Sequence, residues 1–335
     1  MVRVMRILTS LLFAVCLGAS ASSAQPLEKV SFATNWLAQA EHGGFYQALV
    51  DGTYRKYGLD VTIMQGGPNA NHRLLLPTGR LDFYMSANSL QAFDAVAQKI
   101  PTISVAAIFQ KEPQVLLAHP EQKLERLEDL KGLTLYISRE GVATYYQWMK
   151  REFGFRDDQV KPYTFNAQPF LADKRSAMQG YVTSEPFAIE RQAKFKPKFL
   201  LLADEGFTSY STLIETTTAL VAKKPDMVQR FVDASIIGWY NYLYRDNSAA
   251  NARIKRDNPE MSDELMAYAV AAMKQYGIVD SGDALKSGIG AMTDVRMLFF
   301  HDQMLRAGVI KPIDYKKAYT TRFVNKNVGK DLRPK

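Results

Sequence analysis

The stretch Val30–Met64, VSFATNWLAQAEHGGFYQALVDGTYRKYGLDVTIM, decides the fold. Val30–Thr34 reads as a strand, Gly44–Tyr57 carries a helical period that Gly58 stops, and Asp60–Met64 reads as a second strand. Strand, polar loop, helix and strand in this order is the grammar of a parallel α/β sheet. Working outward, Asn69–Leu76 reads as a short helix, Leu81–Ser86 as a strand with helix Ser89–Gln98, and Thr102–Phe109 as a strand. Strands Val115–Ala118 and Thr134–Ser138 flank a Leu127–Leu130 turn. Helix Tyr145–Phe153, strand Lys161–Phe165, helix Phe170–Gln179, strand Gly180–Thr183 and helix Pro186–Gln192 follow, then strands Phe199–Leu202 and Ala219–Ala222. After Pro225 the pattern turns helical. Met227–Tyr244 places Val228, Phe231, Val232, Trp239 and Tyr242 on one face, and helices Asp263–Tyr276 and Asp294–Ala307 each end at a glycine, Gly277 and Gly308.

The helical last third lacks the strands of an independent α/β domain, so it is expected to pack on the first unit. This gives a discontinuous layout: one lobe from 25–113 and 212–335, and an inserted lobe from 114–211. Two crossings between lobes make a hinge over a central cleft, suited to ligand-driven closure. Residues 1–24 read as an export signal: Arg3 and Arg6 without an acid, an apolar run from Ile7 to Leu17, and small residues up to a cut after Ala24. The apolar run is too short to anchor in a bilayer. The chain has 335 residues, 47% of them hydrophobic, enough to fill real cores. Its one cysteine, Cys16, lies in the export segment, so the remainder can form no disulfide, thiolate metal site or cysteine nucleophile. Of the formal charge of +8, two units sit in the export segment; the rest are interleaved with acids, and no basic block points to nucleic acid.

Several loops follow strands, where open α/β sheets collect ligands. Trp36, in the Asn35-Trp36 pair, can stack an aromatic ligand or pack the core of its lobe, while the Asn35 amide offers donor and acceptor. His42-Gly43-Gly44 opens a helix with Tyr46 one turn on; the glycines allow close approach to a ligand, or simply start the helix. Gly66-Gly67-Pro68-Asn69 also follows a strand and reads as a plain turn or, with Asn69 capping the next helix, as a second edge of the site. Ser86-Ala87-Asn88-Ser89 places polar groups at a helix start, and Ser138-Arg139-Glu140-Gly141-Val142 repeats that grammar in the inserted lobe, with Tyr145 a turn later. Glu185, between Tyr181 and Pro186, can accept a ligand hydrogen bond or serve only as a favourable charge at its helix N-terminus. His72, His119 and His301 lie far apart without ligand spacing, so no metal site is expected.

These pieces together resemble a type II periplasmic substrate-binding protein of an ABC importer. They resemble in particular the family that also contains the yeast-type thiamine pyrimidine precursor synthase. The resemblance is carried by Asn35-Trp36, His42-Gly43-Gly44-Phe45-Tyr46, Gly58-Leu59-Asp60-Val61, Gly79-Arg80-Leu81-Asp82-Phe83, Asp129-Leu130-Lys131-Gly132 and Tyr181 through Pro186, in order and spacing. It implies two α/β lobes with a hinge and central ligand cleft, in a periplasmic monomer that hands a small flat heterocycle to an inner-membrane ABC permease. The implied ligand is a thiamine pyrimidine precursor or a relative, with flavins and sulfonates open. By position, Trp36 would stack the ring; Asn35, Asn88 and Glu185 would bond its edge; Tyr46 and Tyr145 would close the walls. His42, Gly43, Ser138, Gly141 and Tyr181 complete the expected site. The enzyme branch carries a cysteine cluster, a cofactor lysine and a consumable histidine. Ser209–Ala222 has no cysteine, and Phe83–Leu90 has neither lysine nor histidine. The expectation is therefore a binder without cofactor, with an enzyme or a receptor's sensing domain as alternatives.

Overall fold

Ten strands build two five-stranded sheets in a computed structural model that describes residues 26–67 and 70–334. The export segment with Cys16, its expected cleavage site and the expected cap Asn69 lie outside the described residues. The first sheet uses β1 (Glu28–Ala33), β2 (Leu59–Met64), β3 (Phe83–Asn88), β4 (Thr102–Phe109) and, much later, β10 (Ser211–Thr217). The second uses β5 (Gln114–Ala118), β6 (Thr134–Ile137), β7 (Val160–Pro162), β8 (Ser176–Tyr181) and β9 (Lys198–Leu201). Their orders are β2-β1-β3-β10-β4 and β7-β6-β8-β5-β9. These are the same pattern: three strands related by parallel pairing, then one antiparallel strand, then the last. The antiparallel strand in each sheet is the one reached just after the chain passes between sheets, at 110–113 and at 202–210. The parallel strands therefore point their carboxyl ends at a common crevice, where loops can meet a ligand.

The C-terminal helices pack on the first sheet. Helix Pro225–Tyr244 lays Phe231 against Phe83 and Tyr54, with ring centroids 4.0 and 5.4 Å apart, and buries Trp239 completely. Helix Gly43–Val50 crosses it at close range. A Cβ on Gly44 would lie 2.2 Å from the Trp239 ring, and one on Gly238 would lie 2.3 Å from the Gly44 carbonyl oxygen. Only glycines allow this approach.

Three expectations need correction. Phe170–Gln179 is not one helix: Gln168–Ala172 is helical, and Ser176–Tyr181 pairs with β5 and β6 as β8. Ala219–Ala222 lies in helix Thr218–Lys223, whose start is capped by the Thr217 hydroxyl; the strand is the preceding Ser211–Thr217. The expected helix Gly44–Tyr57 breaks around Asp51 and Gly52, the latter in the left-handed region.

Candidate ligand-binding cleft

A cavity of about 230 Å³ lies between the sheets, lined from both. From the first come Asn35 and Trp36 beyond β1, Asn88 at the end of β3, and His42; from the second, Ser138, Gly141, Tyr145, Tyr181 and Glu185. Nine of the expected residues thus share one crevice.

The loop after β1 is held from behind. The Thr34 hydroxyl donates to the Trp36 carbonyl at 2.8 Å, and the Gly66 N–H donates to the same carbonyl at 2.9 Å. A Cβ on Gly66 would lie 2.6 Å from the Asn35 backbone, so this glycine braces the loop and is not an edge of the cavity. Trp36 is half-buried and faces Phe165 of the second sheet, ring centroids 5.4 Å apart. Asn88 accepts from Leu90 N–H through Oδ1 at 3.1 Å, capping helix Ser89–Ala97; its amide NH₂ is the group left to reach a ligand.

In the second sheet, Gln179 organises the wall. Its Oε1 accepts from Ser138 N–H at 2.6 Å and from the Tyr145 hydroxyl at 3.1 Å. Ser138 Oγ caps the following short helix through Gly141 N–H, and a Cβ on Gly141 would lie 2.7 Å from the Tyr145 hydroxyl. Glu185 Oε2 accepts from Tyr181 N–H and Ser184 Oγ, each at 2.6 Å, so this carboxylate also fixes its own loop.

Two expected residues stand outside. Gly43 packs on the long helix, where a Cβ would lie 2.1 Å from the Tyr242 ring, so its freedom serves helix packing rather than a ligand. Tyr46 is fully buried on the same side, in the field of Asp257 and Arg253, and closes no wall of the cavity. Both lie on helix Gly43–Val50, whose packing against Pro225–Tyr244 was invisible in local sequence.

The cavity also holds groups the sequence reading passed over. Glu41, Glu112 and Glu140 join Glu185 in its lining. Glu41 accepts from the Thr183 hydroxyl, a hydrogen bond that spans the two sheets. Glu112 lies in the first passage between sheets, immediately after β4. The rule that selected Asn35 and Asn88, polar residues just past a strand end, selects it equally. Its carboxyl is pushed up to about 8, chiefly by burial and with a contribution from Glu140, against the hydrogen-bonding pull of Asn88, Ser211 and Tyr181. Burial likewise raises Glu41, Glu140 and Glu185. It drives His42 down to about 3, leaving a neutral ring with both nitrogens unpartnered among the described residues. The Tyr181 phenol is held protonated by burial and then by the charges of Glu112, Glu140, Glu41 and Glu185, so all four act on one point. Thr212, another lining residue, has φ +49°, and Phe165 has φ +61°. Left-handed backbone in non-glycine residues concentrates where function constrains it.

A cleft between two sheets of identical strand order, lined at the strand ends of both, defines a periplasmic-binding-protein fold. The sequence profile described as NMT1/THI5-like matches residues 39–249, and the chain belongs to that family. The riboflavin-binding protein RibY of Chloroflexus aurantiacus is 23% identical over 316 residues, covering 91% of this chain and 89% of that protein. Among solved structures, the periplasmic aliphatic sulphonate binding protein SsuA from Escherichia coli superposes with a TM-score of 0.62 at 12% identity, covering 87% of this chain and 91% of that one. The desulfurization enzyme DSZB superposes at 0.58 and 12% identity, covering 91% and 100%. One fold thus carries both binding proteins and an enzyme. No helix of the described residues is long and apolar enough to cross a membrane.

Proposed function

We propose that this chain is the extracytoplasmic solute-binding component of an ABC importer, taking a small flat heterocycle such as a thiamine pyrimidine precursor and passing it to the permease. The observation that carries this is the cleft itself. Aromatic side chains from both sheets (Trp36, Phe207, Tyr145, Tyr163 and Phe165) stand around hydrogen-bonding groups from Asn35, Asn88, Ser138 and Gln179. Flat apolar walls with a few converging polar groups are the general form of a heterocycle site. At roughly 30 Å³ per water, the cavity has room for about eight waters, the scale of a substituted single ring. Lobes of 25–113 with 212–335, and of 114–211, would hinge at the two passages between sheets. The Glu41–Thr183 bond and the Trp36–Phe165 contact would then be the latch of the closed form.

The superposition on DSZB keeps an enzyme reading in view. Against it, the cleft lining contains no cysteine, serving neither as thiol nucleophile nor as thiolate ligand, and no lysine to form an imine.

Thermal-shift measurements with aminopyrimidines, flavins, nucleobases and alkanesulfonates test the proposal. A heterocycle at 100 times its Kd should stabilise the protein by about 2.7 kcal/mol. Stabilisation by sulfonates alone would contradict it.

A further inference from the structure

Four carboxyl groups and no lysine or arginine line the cleft, an imbalance that points to the charge of the ligand. Two of the four are answered by the protein. Glu41 takes the Thr183 hydroxyl, and Glu185 takes Tyr181 N–H and Ser184 Oγ. Glu112 is different. It is 3% exposed, and although Asn88, Ser211 and Tyr181 stand close enough to its carboxyl to stabilise the charged form, none makes a well-formed hydrogen bond to Oε2, which faces the cavity unpartnered among the described residues. A buried carboxyl oxygen left open is costly to the folded chain unless something supplied later completes it. Glu140 stands in the same cavity on the opposite sheet, its residue open to solvent on one side while the cleft wall crowds its carboxyl enough to raise it, and its charge is felt at Glu112.

We infer that the ligand carries a basic nitrogen, an ammonium or amidinium group on its flat ring, which seats between Glu112 and Glu140 as the sheets close over it. A cation there gives the open Glu112 oxygen a charge-assisted hydrogen bond and draws the carboxyl, which burial and Glu140 keep protonated in the empty cleft, into its ionised form. The aromatic walls add cation–π attraction. An anion meets the reverse: no lysine or arginine in the lining to pair with, and four carboxyls whose ionisation it would oppose. Sulfonates, phosphates and carboxylates are excluded by this chemistry, although the SsuA structures share the fold. This inference rests on the heterocycle reading above and narrows it.

The test uses matched flat rings that differ only in charge, titrated calorimetrically into the full exported chain: benzamidine, benzamide and benzenesulfonate, together with 5-aminomethyl-, 5-hydroxymethyl- and 5-sulfomethylpyrimidine. The cationic member of at least one set should bind tenfold or more tighter than its neutral partner, with no heat from the sulfonate at millimolar concentration. Glu112→Gln and Glu140→Gln should each reduce that preference at least tenfold, read as the ratio of cationic to neutral affinity in the same variant. Equal or tighter binding of neutral or anionic members overturns the inference and leaves the heterocycle reading standing. Binding of a linear diamine such as putrescine, with no response to any ring, supports the charge assignment and overturns the heterocycle reading. Silence from rings and diamine alike overturns both. Should Glu112→Gln fail to fold, Glu140→Gln decides alone, because that residue is open to solvent on one side.

Discussion

Trp36, in a loop after a strand, and Trp239, on the apolar face of a long helix, have opposite fates. Trp239 is fully buried against Phe45 and Phe109, whereas Trp36 is half-buried at the cleft. Trp36→Ala should cost roughly 1–3 kcal/mol of ligand binding, the scale of aromatic stacking, with little change in melting temperature. Trp239→Ala should instead destabilise the ligand-free protein by about 3–5 kcal/mol. A paired denaturation and titration series separates the two. Protonation gives a second residue-level expectation. Glu112 stays neutral to about pH 8 when folded, while an unfolded glutamate ionises near 4.3, so the folded state holds the extra proton in that window. Its stabilising contribution is complete below the lower value and is lost as pH rises through the upper one. Glu41, Glu140 and Glu185 act with the same sign. His42 opposes them, because its folded value near 3 makes stability climb with pH up to about 6.5 and not beyond. Between about pH 6.5 and 8 the carboxyls therefore decide. The ligand-free protein should lose on the order of 1–2 kcal/mol there, and Glu112→Gln should flatten the slope in urea titrations.

Helices and strands were legible wherever local pattern and tertiary demand agreed. Thr102–Phe109 and Tyr145–Phe153 match the sequence reading residue for residue, since an apolar run and an amphipathic period leave little choice. Ala219–Ala222 was misread because a four-residue apolar run fits a strand or a helix equally, and Thr217 as an N-cap settles it for the helix. Ser176–Gln179 was absorbed into a helix, with only Gly180 and Tyr181 of β8 read as strand, because its strand character comes from partners far away in the chain, β5 and β6. The same limit governed the site. Polar residues after strands could be found by position, but the role of Gly43 and Gly44 depended on a helix nearly 200 residues later. Gly44→Ala should therefore destabilise the protein by about 1–3 kcal/mol through overpacking against Trp239, with ligand affinity in the remaining folded fraction unchanged. A loss of affinity without loss of stability would return this glycine to the ligand.

At the scale of the whole molecule, two sheets of the same order are joined by two passages and touch across the cleft through Glu41–Thr183, Trp36–Phe165 and the Tyr268 hydroxyl on the Val182 carbonyl at 3.1 Å. Thr183→Val removes the Glu41 partner and should shift the ligand-free population toward an open form. Small-angle scattering would show this as a larger radius of gyration that ligand reverses. Whether this cleft holds a small nitrogen heterocycle can be read by native mass spectrometry of the protein purified gently from its host. A single small adduct is expected whose composition fits a nitrogen heterocycle, released on denaturation and reduced in Trp36→Ala. An adduct with the composition of a sulfonate, or a heterocycle retained in full by Trp36→Ala, would contradict the heterocycle reading.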